Sequence, residues 1–221
     1  MQKKQSLTTT LIVVITTAYF LGSGLSILGN SVVKPLFPNL PNQLALFYGG
    51  QYSNGYFPGV STGQWYRLIT IVLVHASLLH IASNMYSLWM FGNLIETIFG
   101  KVRYAIIFIA SGITASTASV FLGPHNAYSV GASGAIFGLL GALLVIGKRV
   151  GLNYQSLVSV IVLNLIITFS VPGIDWRAHV GGFIGGAAVA YALRLFKRTW
   201  ATSKIDSRFI AATNCSIRHW N

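Results

Sequence analysis

Acidic residues are nearly missing from this chain. Only Glu96, Asp175 and Asp206 occur among 221 residues, and charged residues of both signs make up 8%. A soluble domain carries about 25% charge, so the shortage excludes a surface that mostly faces water. Cysteine is also scarce, since Cys215 stands alone, which excludes an internal disulfide and any multi-cysteine metal site. There is no His-Glu-x-x-His zinc motif, no repeat of 20–50 residues, and no low-complexity tract before the tail. A cleavable signal peptide is not expected. The apolar run after Lys3 and Lys4 is too long for a signal core and has no clear small-x-small cleavage site. The 15 Lys and Arg residues outnumber the acids fivefold. They lie between apolar runs rather than in a patch with interleaved aromatics, which argues against nucleic acid as a partner and for anchoring at a lipid bilayer.

What is abundant is apolar sequence, 53% of the chain. A bilayer core takes about 20 apolar residues per helix, and six such stretches are expected. The first runs from about Leu7 to Leu28. A loop from Asn30 to about Tyr66 follows, where Pro35, Pro38, Pro41 and Pro58 oppose a long helix. The apolar region Leu68–Phe99 is too long for one untilted span, and it divides near Ser77 into a descending segment and a second span. The third covers about Val102–Leu122, the fourth Ala132–Gly147, the fifth Tyr154–Val171 and the sixth Trp176–Phe196. Orientation follows from charge. With the N-terminus inside, twelve basic residues fall on the cytoplasmic side and three (Lys34, Arg67, Arg177) outside. The fold expected is an all-α membrane protein: a six-transmembrane-helix bundle over 7–197, cytoplasmic residues 1–6 before it, an extracytoplasmic first loop at 30–66, and a basic cytoplasmic tail at 198–221. Both termini are expected to be cytoplasmic and the protein to reside in the cell membrane.

Polar side chains inside spans are costly and mark function. Gly131-Ala132-Ser133-Gly134 opens the fourth span. There Ser133 stands among backbone N–H groups without intrahelical partners, and the positive helix end can hold an oxyanion. Taken alone, the motif reads first as a packing face, because Gly134 and Gly138 fit the small-xxx-small pattern. Ala178-His179-Val180-Gly181-Gly182 begins the sixth span, with Gly182 and Gly186 on one face. If the two glycine faces meet, His179 comes beside Ser133, where neutral imidazole can act as general base. The alternative is a structural histidine bonded between helices. His80 and Asn84 lie four apart on the second span and can both donate hydrogen bonds, adding to the Ser133 N–H to make an oxyanion hole. His75 precedes that span and is expected to bond a loop carbonyl. A zinc site of His75, His80 and His179 is disfavoured because no acidic base lies nearby, and neither a metal nor a cofactor is expected. All three clusters fall at the outer ends of spans two, four and six.

Together these motifs resemble the rhomboid family. Gly131-Ala132-Ser133-Gly134 is similar to its Gly-x-Ser-Gly, Ala178-His179-Val180-Gly181-Gly182 to its Ala-His-x-Gly-Gly, and His80-x-x-x-Asn84 to its His-x-x-x-Asn. Gly92-x-x-x-Glu96 with Gly100 resembles its second-helix signature. Trp65-Tyr66-Arg67 resembles its Trp-Arg element with one extra residue between. The resemblance implies a six-helix core, Ser133 as nucleophile, His179 as base, and cofactor-free cleavage of transmembrane protein substrates. Phe137 stands where many members have Tyr stacked on the histidine. A Ser-His dyad is expected; Asp175, four residues before His179, is the one acid that could share its face, but it lies at the water interface, where it can be solvated or pair with Arg177. Two other readings remain: a non-catalytic rhomboid-like binding factor for membrane proteins, and a small transporter.

Overall fold

The computed structural model describes residues 6–27, 30–53 and 55–195. The basic tail and Cys215 lie outside them. Helix α1 (Leu7–Ser23) begins at Ser6, whose hydroxyl accepts from the Thr9 N–H, and it stops at Gly24, where φ reaches 65°. The chain then turns through an antiparallel pair, β1 (Leu25–Ile27) with β2 (Asn30–Val33), so the helix is shorter than the apolar run that contains it. The first loop holds a short helix, α2 (Leu40–Leu44), and the strands β3 (Leu46–Phe47), β4 (Gly50–Tyr52) and β5 (Gly55–Phe57). Strands β4 and β5 form a hairpin. Strand β3 pairs instead with β6 (Tyr128–Ser129), which ties this loop to the segment leading into the site.

Arg67, in the single turn α3 (Arg67–Thr70), is buried although charged. Its guanidinium donates to the carbonyls of Asn42 and Ala45 at 2.9 and 2.5 Å and to Gln64 Oε1 at 2.6 Å. It thereby satisfies carbonyls that the short helix leaves open at its end. Thr70 adds a bond to the Leu44 carbonyl at 2.8 Å.

The long apolar region bends by 100° between Arg67–Leu73 and Leu78–Phe99. The physical reason is a cap. Ser77 is extended and accepts from the His80 N–H, so a new helix, α4 (Leu78–Ser87), starts there. It continues through a π-turn at Leu88–Gly92 into α5 (Asn93–Phe99). Gly92 sits against Thr8 and Tyr104, where an added Cβ would stand 2.7 Å from the Tyr104 hydroxyl. Glu96, one turn further on, receives Ser6 Oγ and Thr8 Oγ1 at 2.8 Å and the Leu7 and Thr8 N–H groups at 2.8 and 2.9 Å. A carboxylate at a helix N-terminus satisfies orphan donors and favours the dipole, so Glu96 joins α5 to the start of α1.

Gly100 (φ 76°) reverses the chain into α6 (Lys101–Leu122). Then come α7 (Ser133–Ile146), α8 (Tyr154–Ser170) and α9 (Trp176–Leu195). Helices α6, α7 and α9 pack most extensively on one another, while α8 touches the bundle lightly. Nearly every residue of α7 is buried, as a helix apolar on all sides requires. Glycine makes the α7–α9 contact so close. A Cβ on Gly182 would lie 2.0 Å from the Gly134 carbonyl oxygen, and one on Gly186 the same distance from that of Gly138.

Two described helical segments are long and apolar enough to cross a membrane, Lys101–Leu122 and Ser133–Val150, and the bent pair Arg67–Leu73 with Leu78–Phe99 adds a third if it counts as one span. Helices α1 and α8 are apolar but 17 residues each, the lower edge of the usual 17–25 or so. The chain is therefore a mostly helical membrane protein with two to three helices of clear spanning character.

Candidate active site

Ser133 is the first residue of α7, and the helical ladder begins with the Ile136 N–H donating to the Ala132 carbonyl. The N–H groups of Ser133, Gly134 and Ala135 therefore precede the ladder, at the positive end of the helix. Gly131, just before, has φ 120°, and a Cβ there would stand 2.9 Å from both Cε1 and Nε2 of His80. Only glycine allows this backbone and this approach together.

His179 lies in the first turn of α9 and is buried. Its Nε2 is 2.8 Å from Ser133 Oγ, though the two residues are 46 apart in sequence. The ring is held on two further sides. Phe137, one turn beyond Ser133, stacks on it with centroids 4.1 Å apart and planes at 14°. Its Nδ1 is 2.8 Å from the hydroxyl of buried Thr168 on α8. The close glycine contact between α7 and α9 brings Ser133, Phe137 and His179 to one depth.

His80 and Asn84 line the same cavity of about 630 Å³ as Ser133, His179 and Thr168. His80 Nδ1 accepts from the Ala76 N–H at 3.4 Å. This leaves Nε2 as the protonated nitrogen of the neutral ring, on the side that faces Gly131. One amide proton of Asn84 is given to the His80 carbonyl at 3.0 Å, and the other remains for the cavity. His75 is buried edge-on to His80, with ring centroids 5.0 Å apart. Among the described residues no three His, Cys, Asp or Glu side chains converge as metal ligands would.

Asp175 is half-buried and is not turned to Arg177. Its carboxylate accepts from the hydroxyls of Ser119 and Ser129, the latter at 2.9 Å, and from the Ala178 N–H at 3.2 Å. It caps α9 and ties that helix to the end of α6 and to β6, while the Arg177 guanidinium stacks over Trp176 at 4.6 Å. The carboxylate is thus engaged away from the imidazole. Asp175→Asn keeps a capping oxygen but replaces the charged acceptor of the Ser119 and Ser129 hydroxyls. It is expected to lower stability by about 1 kcal/mol through those weakened charge-assisted bonds and turnover by less than about tenfold, under ~1.4 kcal/mol of barrier. Melting and cleavage assays on the same preparation check this. A loss of about 10⁴-fold, as when a triad acid is replaced, would make Asp175 the orienting acid.

Thr168 does not stand out in the sequence. Its one signal was Asn164 four residues earlier, a polar pair on one face of an apolar helix.

Fold and site together define a helical membrane protein with a serine hydroxyl hydrogen-bonded to a histidine over a cavity. A family model described as the Rhomboid domain matches residues 62–196, and the chain belongs to the rhomboid family. It is 40% identical over 146 residues to "Rhomboid protease GluP" of Bacillus subtilis (strain 168), covering 62% of this chain and 28% of that one. It is 31% identical over 170 residues to "Putative rhomboid protease YdcA" of the same organism, covering 75% of this chain and 85% of that one. "RHOMBOID-like protein 5" of Arabidopsis thaliana is 37% identical over 144 residues, 62% of this chain and 46% of that one. The chain thus spans most of one bacterial relative and only about a quarter of the other.

Proposed function

We propose that this protein is an intramembrane serine endopeptidase that cleaves membrane protein substrates within or beside their transmembrane segments, using a Ser133–His179 dyad and no cofactor. The observation that carries the reading is the 2.8 Å contact between His179 Nε2 and Ser133 Oγ, at a helix N-terminus that opens on a cavity. Ser133 Oγ attacks the scissile carbonyl as His179 takes its proton, and His179 then gives that proton to the leaving amine. Water repeats the sequence on the acyl-enzyme and frees Ser133. The oxyanion is held by the Ser133 N–H, His80 Nε2–H and the free amide proton of Asn84. Gly131, Gly134, Gly182 and Gly186 support the site by allowing the close approaches on which its geometry depends. Phe137 steadies the imidazole by stacking and needs no charge to do so. The lightly packed α8, with the turn at Val171-Pro172-Gly173, suits a lateral gate for a partly unwound substrate helix.

The reading includes six spans, with the bent segment, α1, α8 and α9 spanning as short or tilted helices, and with both termini cytoplasmic in the cell membrane. Domain limits follow it: a membrane domain at 7–197 and a cytoplasmic tail at 198–221. An impermeant thiol reagent on intact cells is expected to leave Cys215 unlabelled until the membrane is opened. Strong labelling beforehand would reverse the orientation. A fluorophosphonate probe tests the activity itself, since a serine hydrolase reacts covalently at Ser133. No reaction with the wild-type protein would leave the non-catalytic binding reading.

A further inference from the structure

A Ser-His dyad without an acid leaves open which imidazole nitrogen carries the proton. Only a ring protonated at Nδ1 presents a lone pair at Nε2 to take the serine proton. The surroundings of Thr168 answer this. Its hydroxyl donates to the Asn164 carbonyl, one turn back on α8, at 2.7 Å. That back-bond is ordinary for threonine in a helix, and it uses the only proton the hydroxyl has. Toward His179 Nδ1, 2.8 Å away, the same oxygen can therefore only accept. The order Nδ1–H to Thr168, Ser133 O–H to Nε2, then satisfies each atom in the chain.

We propose that Thr168 is a positioning residue that accepts the His179 Nδ1–H, fixing the imidazole in the tautomer able to deprotonate Ser133. A neutral hydroxyl, oriented by a backbone carbonyl, fills the place that a carboxylate takes in a triad. It holds the ring in register, and it gives the imidazolium formed during reaction a partner in a buried setting where an unsatisfied N–H is costly. The inference takes from the proposed function only that His179 is the base.

The test compares the full chain with Thr168→Val, which keeps shape and loses the hydroxyl, and with Thr168→Ser, which keeps the hydroxyl. All are purified in detergent and checked by thermal melting. Thr168→Val is expected to lose between about ten- and a hundredfold in kcat, by analogy with the loss when the partner that orients a metal-bound histidine is removed, with KM changed less than twofold. Thr168→Ser is expected to stay within about threefold of wild type. Histidine-selective ¹⁵N spectra, with His179 assigned through His179→Gln, should show wild-type Nδ1 protonated and Nε2 bare. The proposal is overturned by wild-type kcat in folded Thr168→Val, by Thr168→Ser as slow as Thr168→Val, or by a proton on Nε2 in the wild-type ring. A wild-type protein with the Nδ1–H tautomer that neither cleaves nor reacts with fluorophosphonate would overturn the protease reading and leave the tautomer assignment standing.

Discussion

Ser133→Ala and His179→Ala are each expected to lose at least about 10⁴-fold in cleavage of a transmembrane substrate in liposomes, the scale on which serine nucleophiles and their bases fail singly. The two residues act in one proton transfer, so the double variant is expected to be no slower than the worse single one. Ser133 contributes a small, half-buried side chain, so Ser133→Ala should keep the melting behaviour of wild type within a few degrees, while His179→Ala, which loses a buried ring stacked on Phe137, is expected to melt lower and to remain folded. Fluorophosphonate labelling should vanish with Ser133→Ala. Turnover within tenfold of wild type in folded Ser133→Ala would end the serine protease reading, whatever the spacing between the two side chains.

The second large effect is expected at Gly182, which has no chemistry of its own. A Cβ there would lie 2.0 Å from the carbonyl oxygen and 2.8 Å from the carbonyl carbon of Gly134. Both are backbone atoms, and no rotamer change relieves them. Gly182→Val must therefore push α9 from α7 or bend one of them, and overpacking of this kind costs about 1–3 kcal/mol or more. The displaced backbone is that of the residue after Ser133, and α9 carries His179, so strain enters between nucleophile and base. A misplacement of about 1 Å costs on the order of a hundredfold in rate, and that is the least loss expected. Gly112→Ala serves as the comparison. Its Cβ would meet Ala135 and Val72 at the ordinary distances of 3.7 and 3.9 Å, and activity within about twofold of wild type is expected. If Gly182→Val cleaves normally, the close helix contact is not what sets the site.

What the sequence determined by itself is local or compositional. The shortage of charge assigned the membrane class, because a chain with 8% charged residues cannot cover itself for water. Helix limits were legible where a cap or breaker acts on its own neighbours. Ser77 starts α4 and Gly100 separates α5 from α6. The end of α1 was not legible, because apolar residues continue past Gly24 and hydropathy does not register a change of backbone conformation. The family was legible because its motifs are short and contiguous. The tertiary structure alone decided how side chains distant in sequence combine. It set the Ser133–His179 contact across 46 residues and the Ser119–Asp175 bond across 56. It made Asp175 the cap of α9 rather than a partner of Arg177, and it brought Thr168 to Nδ1 of His179. Periodicity shows which face of a helix a residue occupies, but a hydrogen bond forms within a few tenths of an ångström of 2.8 Å. Only the mutual placement of α7, α8 and α9, set by glycines that let backbones touch, decides which polar groups reach that distance.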